Sequence, residues 1–420
     1  MDVPDAIQLM GDKQWQEIKS RLTGKFNKMM KGLFRQKGAQ LDINILASDE
    51  AQDFITTHAG ILDAGFQKVE MSDKMRERLT RSNYIFSGIK TFHELNEAFP
   101  SMLDENGNKK PFERFLNDVQ KINDTYNANY LHAEYNFVQA SATMAAKWEQ
   151  FSEDGDRYYL QYRTAKDDKV RPEHAALDGV TLPMSDTFWE TYYPPNGWNC
   201  RCTVVQVRKQ KYPATEHGEA MSRGEEAMNG ERYNIFRFNS GKQGKTMPDY
   251  NPYTIKRCND CDVAKGGNTK LGFVPDYQLC QGCIMIRKCN EDRNRDNSAK
   301  ATKKSPEVKK LQGTTISNPD FNHEVLVTGG SIREWTNQPH KEYAAKNSIL
   351  KHIAKVFREA KYIGFIDNFK MKPGVKQSHL FETNVLGELS WIIVREYEIG
   401  EFVLHSISDS DKIKTGIRKE

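Results

Sequence analysis

Forty residues near the middle of the chain, Thr164 to Thr203, constrain its folding more tightly than any other stretch. Pro172 suits the first position of a helix, where its missing N–H costs nothing, and Gly179 suits the stop. The short helix between them would carry Glu173, His174 and Leu177. Pro194-Pro195-Asn196-Gly197 predicts a turn, because proline fixes φ while Asn and Gly accept positive φ. From Cys200 to Val207 the β-branched run predicts a strand. Residues two apart on a strand share a face, so Cys200 and Cys202 would aim their thiols the same way.

That arrangement raises metal chemistry. An imidazole and two thiolates suit zinc, so His174, Cys200 and Cys202 are candidate ligands, with Asp178 or a water completing four-coordination. The competing reading makes the cysteines small buried hydrophobes and lets His174 pin the loop by hydrogen-bonding backbone. Asp168 and Arg171 predict an ion pair holding the turn, and no nucleophile–base set can be argued here. A second motif lies downstream, where Cys258-Asn-Asp-Cys261 and Cys280-Gln-Gly-Cys283 stand eighteen residues apart. Two such knuckles match a four-thiolate structural zinc ribbon, with Gly266, Gly267 and Gly272 allowing tight turns between them. An iron–sulfur or redox pair is the alternative, and Cys289 is a spare thiol. All but one of the seven cysteines fall in close pairs, which in a reducing compartment favours metal over disulfides.

At 420 residues the chain predicts two or three domains. A net charge of +4 with 28% charged residues argues no general nucleic-acid binding. No run resembles a membrane span or secretory signal, so a soluble protein, cytosolic at synthesis, is expected. Residues 1–150 read as mainly helical. Trp15, Ile18, Leu22, Phe26, Met29 and Leu33 form an apolar stripe that covers its own core rather than a partner. His58, His93 and His132 are isolated and receive no role, as surface or boundary residues. From Arg287 to Lys310, nine Lys or Arg and four Asp or Glu leave almost no large apolar side chain. That composition predicts a solvated linker, with contact to DNA as its functional alternative.

VRPEHAALDGV, a Trp after it, and then PPNGWNCRC are similar to the signature of the phage Mu F-like head morphogenesis family. The resemblance is strongest over 155–207 and fades outward over 1–256. It implies a minor head protein, made in the bacterial cytoplasm and then placed in the virion head interior beside the portal. Portal protein and other head proteins would be its partners, with packaged DNA a further candidate and no membrane involved. The resemblance does not itself imply an enzyme. The fold class expected is multidomain α+β: a helical N-terminal region (1–150), a loop-rich α+β head domain (151–256), a zinc ribbon (257–286), a basic linker (287–312) and a small α+β domain with an antiparallel sheet (313–420).

In that last domain, a strand from His323, a helix over 343–360 and four further strands are expected. The order resembles barnase/EndoU/colicin/RelE-like ribonucleases, whose phage members follow such head domains. Metal-independent RNA cleavage needs a base, an acid and a cation near the phosphate. His379 and His405 are the candidate base and acid, Arg395 the clamp and Ser406 a hydrogen-bond donor, with His340 a further candidate. The same strand pattern also suits a satisfied His405 and a solvated Arg395. Two other functions stay open: a structural head–DNA protein without enzymatic activity, and a toxin delivered by a head-type module.

Overall fold

The computed structural model describes residues 12–38, 40–248, 251–253, 280–367 and 372–418. The chain divides into two compact units, Met1–Asn290 and Glu291–Glu420.

The first unit is built on helices α1 (Asp12–Phe34), α2 (Asp49–Ala64), α3 (Asp73–Ala98), α4 (Phe112–Asn123) and α5 (Leu131–Asp154). The α1 stripe does what its spacing predicts: Leu22, Phe26, Met29 and Leu33 are fully buried in the unit's own core. Serines set where the next helices start. Ser48 accepts from the Ala51 N–H and Ser72 from the Met75 N–H, satisfying donors that a helix N-terminus otherwise leaves unpaired. A three-stranded antiparallel sheet follows, in the order β2 (Thr181–Pro183), β1 (Tyr159–Arg163), β3 (Thr203–Val207). Tyr162 pairs with Val204 and Gln161 with both Thr181 and Val205.

Of the three histidines predicted to be surface or boundary residues, His132 is half-buried as expected, and the other two are not peripheral. His58 and His93 are each 1% exposed, inside a polar network that α2, α3 and α5 enclose. Fully buried Lys90 gives hydrogen bonds to Glu134 Oε2 at 2.6 Å, to the Tyr126 carbonyl at 2.7 Å and to His58 Nε2 at 3.2 Å. His58 Nδ1 meets Ser87 Oγ at 2.7 Å, which fits a neutral imidazole accepting from Lys90 and donating to Ser87. The Tyr126 carbonyl belongs to a π-helical stretch, Asp124–Tyr130, whose wider turn loosens the usual ladder and leaves that oxygen available. Burial drives the His58 pKa down to about 4, aided by Lys90. Burial would raise Glu134, but Lys90 and His58 outweigh it and hold it at about 2. Neighbouring Glu94, also fully buried, is pushed by burial up to about 8 against the pull of Lys90.

The basic stretch expected to be a linker is instead mostly helix, Gln281–Lys304. Apolar anchors and polar contacts both hold it: Ile286, at 1% exposure, belongs to the first unit's core, with Met285 and Cys289 packed there too. Asn347 donates to Ser298, Lys303 to Asn337, and Ala299 and Thr302 are buried. Cys258 and Cys261 of the expected ribbon lie outside the described residues. Cys280 immediately precedes this helix, and buried Cys283 sits in its first turn.

The second unit is α+β, and its sheet is mixed rather than purely antiparallel. It runs β4 (Thr315–Asn318), β5 (Phe321–Leu326), β9 (Phe402–Ser408), β8 (Glu388–Tyr397), β7 (Val375–Val385), β6 (Lys361–Asp367). The departure is one parallel contact, Leu326 with Val403, since β5 and β9 enter the sheet from the same end. The core joins Trp335 and Phe357 from the helices to Phe381, Ile392, Val394 and Leu404 from the sheet.

Candidate functional site

Pro172 opens a one-turn helix, Pro172–Ala175, and Gly179 turns the chain back at φ +83. This places His174 inward at 2% exposure. The cysteines arrive by a different route from the one predicted. The strand begins only at Thr203, so Cys200 and Cys202 precede it, following Asn199 at φ +57. Their thiols still converge. Cys200 Sγ stands 3.6 Å and Cys202 Sγ 3.5 Å from the same atom, His174 Nδ1.

One imidazole nitrogen equidistant from two sulfurs is an unusual hydrogen-bond pattern and a normal metal pattern. A tetrahedral ion about 2.3 Å from sulfur and about 2.05 Å from nitrogen has an N–S edge of about 3.5 Å. The three donor atoms lie within 4.8 Å of one another, so His174, Cys200 and Cys202 form a buried cluster that could hold a metal ion. With Nδ1 as the donor, the ring proton sits on Nε2, which has no acceptor among the described residues. Gly197 then matters for shape: a Cβ there would stand 3.7 Å from the ring and 3.0 Å from Arg171 Nη1. The thiols influence each other. The contact from Cys202, with His174 assisting, holds Cys200 well below the usual thiol range, while the same contact pushes Cys202 up.

Two expectations about the surroundings fail. Asp178 is not a fourth ligand; its Oδ1 accepts from Thr164 N at 2.8 Å and Thr164 Oγ1 at 3.0 Å, stitching the loop. Arg171 does not pair with Asp168. It donates to the Trp198 carbonyl at 2.6 Å, and the ion pairs of the loop are Arg201 with Asp167 and Lys166 with Asp178. The cluster forms one wall of a 540 Å³ cleft that Lys169, Arg171, Arg201 and Asn199 also line.

The C-terminal candidates fall into three places. His340 is buried and satisfied, with Nε2 2.9 Å from Ser390 Oγ and Nδ1 accepting from the Glu342 N–H. His379 faces the core beside Phe321, taking a hydrogen bond from the Tyr362 hydroxyl at 2.9 Å and meeting Glu396 at 3.0 Å. Glu396 is held low despite burial because Lys376, His379 and Gln377 all hydrogen-bond to it. His379 pairs across with Val394 while Arg395 pairs with Ser378, so His379 and Arg395 occupy opposite sheet faces. His405 is the extra residue of a bulge, unpaired between Leu404 and Ser406. Burial, with Arg395 and Lys372 nearby, lowers its pKa to about 4. The structure thus brings His405 to Arg395 and keeps His379 and His340 apart from both, while Ser406 is buried at 2% exposure.

Known proteins resemble both units. The family described as Phage Mu protein F like protein matches residues 106–205, which contain the His–Cys–Cys cluster. Large polyvalent protein-associated domain 3 matches residues 294–404. The putative capsid assembly protein F of Escherichia phage Mu is 30% identical over 328 residues, 72% of this chain and 68% of that protein. The Mu-like prophage FluMu F protein of Haemophilus influenzae is 33% identical over 102 residues, 24% of this chain and 22% of that protein. No solved structure matches. The chain belongs to the phage Mu F-like family. Among the described residues no helix is long and apolar enough to cross a membrane.

Proposed function

We propose that this chain is a minor head protein that joins the phage head during assembly beside the portal and carries its second unit as a passenger. The observation that supports this most is the similarity to a protein named for capsid assembly over 72% of the chain. In this reading the protein is made in the bacterial cytoplasm and ends in the virion head interior, with portal and other head proteins as partners and packaged DNA in reach. Zinc is the ion for His174, Cys200 and Cys202, where it ties the short helix to the loop entering β3 and closes a turn-rich segment. A second, four-thiolate zinc on Cys258, Cys261, Cys280 and Cys283 belongs to the same reading. Disrupting the gene in a prophage and inducing it tests the assignment. Loss of filled heads, restored by the intact gene, is expected; normal heads lacking this chain in purified virions would refute it.

A second reading concerns the passenger unit, and one observation favours it. His405 is held neutral in a sheet bulge with Arg395 and Lys372 close by. A neutral imidazole beside cations can take a proton from a 2′-hydroxyl while they hold the phosphate and, once protonated, return it to the leaving 5′-oxygen, which covers the base, the acid and the cation that metal-independent RNA cleavage requires. His379 then positions Glu396 rather than acting as the partner acid. Incubating the full chain with RNA in chelator tests this: cleavage lost in His405→Ala and kept in His340→Ala is expected. Equal inertness of all three chains defeats it.

A further inference from the structure

The His–Cys–Cys cluster offers three donors, and all three residues line a cleft. Among the described residues no further His, Cys, Asp or Glu joins the group, and the carboxylate best placed in sequence, Asp178, is occupied by Thr164. Sites whose task is only structural close the metal with four protein ligands; those that bind or transform something keep one position open. The cleft that meets the cluster gives that position a charge preference. Its lining includes Lys169, Arg171 and Arg201 and no acidic residue. Arg201 is already neutralised by Asp167. Arg171 has given one Nη to the Trp198 carbonyl and has no carboxylate partner, so the rest of its planar fork stays available. Lys169 has no carboxylate within salt-bridge distance among the described residues.

We propose, resting on the metal reading above, that this centre keeps its fourth coordination position open to the cleft and takes an exogenous carboxylate there, with Arg171 and Lys169 holding the second oxygen. The donor chemistry argues for oxygen of this class. Two thiolates cancel a divalent ion's charge, so an anionic oxygen donor gains little from the ion alone, and a one-oxygen donor such as hydroxide has nothing left to offer the arginine. A carboxylate places one oxygen on the ion and its second on the arginine fork, and that second contact is what selects it. A free organic acid and the acidic side chain of another protein share that chemistry.

Cobalt(II) reports it directly. The full chain is loaded with Co2+, and the difference spectrum against a Cys202→Ser chain isolates this centre from any other thiolate site. Acetate and, separately, a pentaglutamate peptide are then titrated in. The expected result is a four-coordinate cobalt–thiolate spectrum whose ligand-field bands shift saturably with at least one carboxylate. The shift weakens about tenfold or more in Arg171→Ala or Lys169→Ala, as loss of a charged hydrogen bond requires. A response to acetate alone assigns a small acid, and tighter binding of the peptide assigns a protein side chain. If the thiolate bands are present and neither carboxylate moves them, the open position is refuted and the metal reading survives. If the difference spectrum holds no cobalt–thiolate band, the metal reading itself falls and takes this inference with it.

Discussion

Two buried polar clusters share the N-terminal unit and differ in one respect. Around Lys90 every charge has its counter-charge inside the protein: the ammonium sits on Glu134, and His58 and Glu94 are held neutral. Around His174 there are two thiols and one imidazole, with no cation among the donors and a cleft alongside. Burying polar groups is tolerated when they satisfy one another, or when something from outside completes them. At the centre of the first cluster Lys90, Glu134 and His58 satisfy one another, and that core is closed and structural. The second has the composition of a site that is completed by an ion.

Removing the cation should break the closed cluster hardest. Lys90→Met strands Glu134 and is expected to destabilise the N-terminal unit by about 3–5 kcal/mol, read as denaturant midpoint. A shift near zero would mean that water reaches Glu134. Chelation should be the next largest effect, and of the two clusters compared it addresses only the open one. Where free metal stands about a hundredfold above its dissociation constant, stripping it is expected to lower stability by about 3 kcal/mol in the wild-type chain. The Cys200→Ser chain should lose clearly less; an identical loss in both would place the responsible ion elsewhere.

The closed cluster also sets a pH profile. Glu94 binds its proton more tightly folded than unfolded, so stability falls as pH rises from its ordinary value toward about 8. His58 has the opposite sign: folded it binds its proton less tightly, so stability is lost as pH drops from about 6.5 toward 4. Between pH 6.5 and 8 only the Glu94 decline remains, at a slope of at most about 1.4 kcal/mol per pH unit. Glu94→Gln is expected to flatten that limb in a melting-temperature series and to leave the acid limb in place. The smallest change should come from Ser87→Ala, which removes the His58 hydrogen bond at 2.7 Å. About 1 kcal/mol is expected by the same unfolding assay.

The two clusters were unequally legible in the sequence. Pro172 and Gly179 carry strong local preferences and announce the loop that turns His174 inward, whereas the positive φ expected at Asn196 or Gly197 falls instead at Asn199. The α1 stripe and the C-terminal strands were legible for the same reason, because periodicity survives tertiary context. The Lys90 network was not. Its members come from α2, α3 and α5, and each alone looks like an ordinary helix residue. One signal was present: Asn83, Ser87, Lys90 and Glu94 repeat at four-three-four spacing, a polar stripe on one face of α3 that periodicity counts for apolar residues pass over. The helix Gln281–Lys304 was missed because low overall apolar content hid its few anchors, Ile286 just before the basic stretch and Ala299 within it, and side-chain hydrogen bonding was not weighed. Opposite-face placement of His379 and Arg395 depended on strand register, which the turn between β7 and β8 sets and the strand residues alone do not.

The claim at the centre is that His174, Cys200 and Cys202 hold an ion. Elemental analysis of the full chain purified without added metal, beside a Cys200→Ser/Cys202→Ser chain, tests it most directly. The account predicts one equivalent fewer in the variant, whatever any other thiolate site contributes to both. Equal metal content in the two proteins would contradict it.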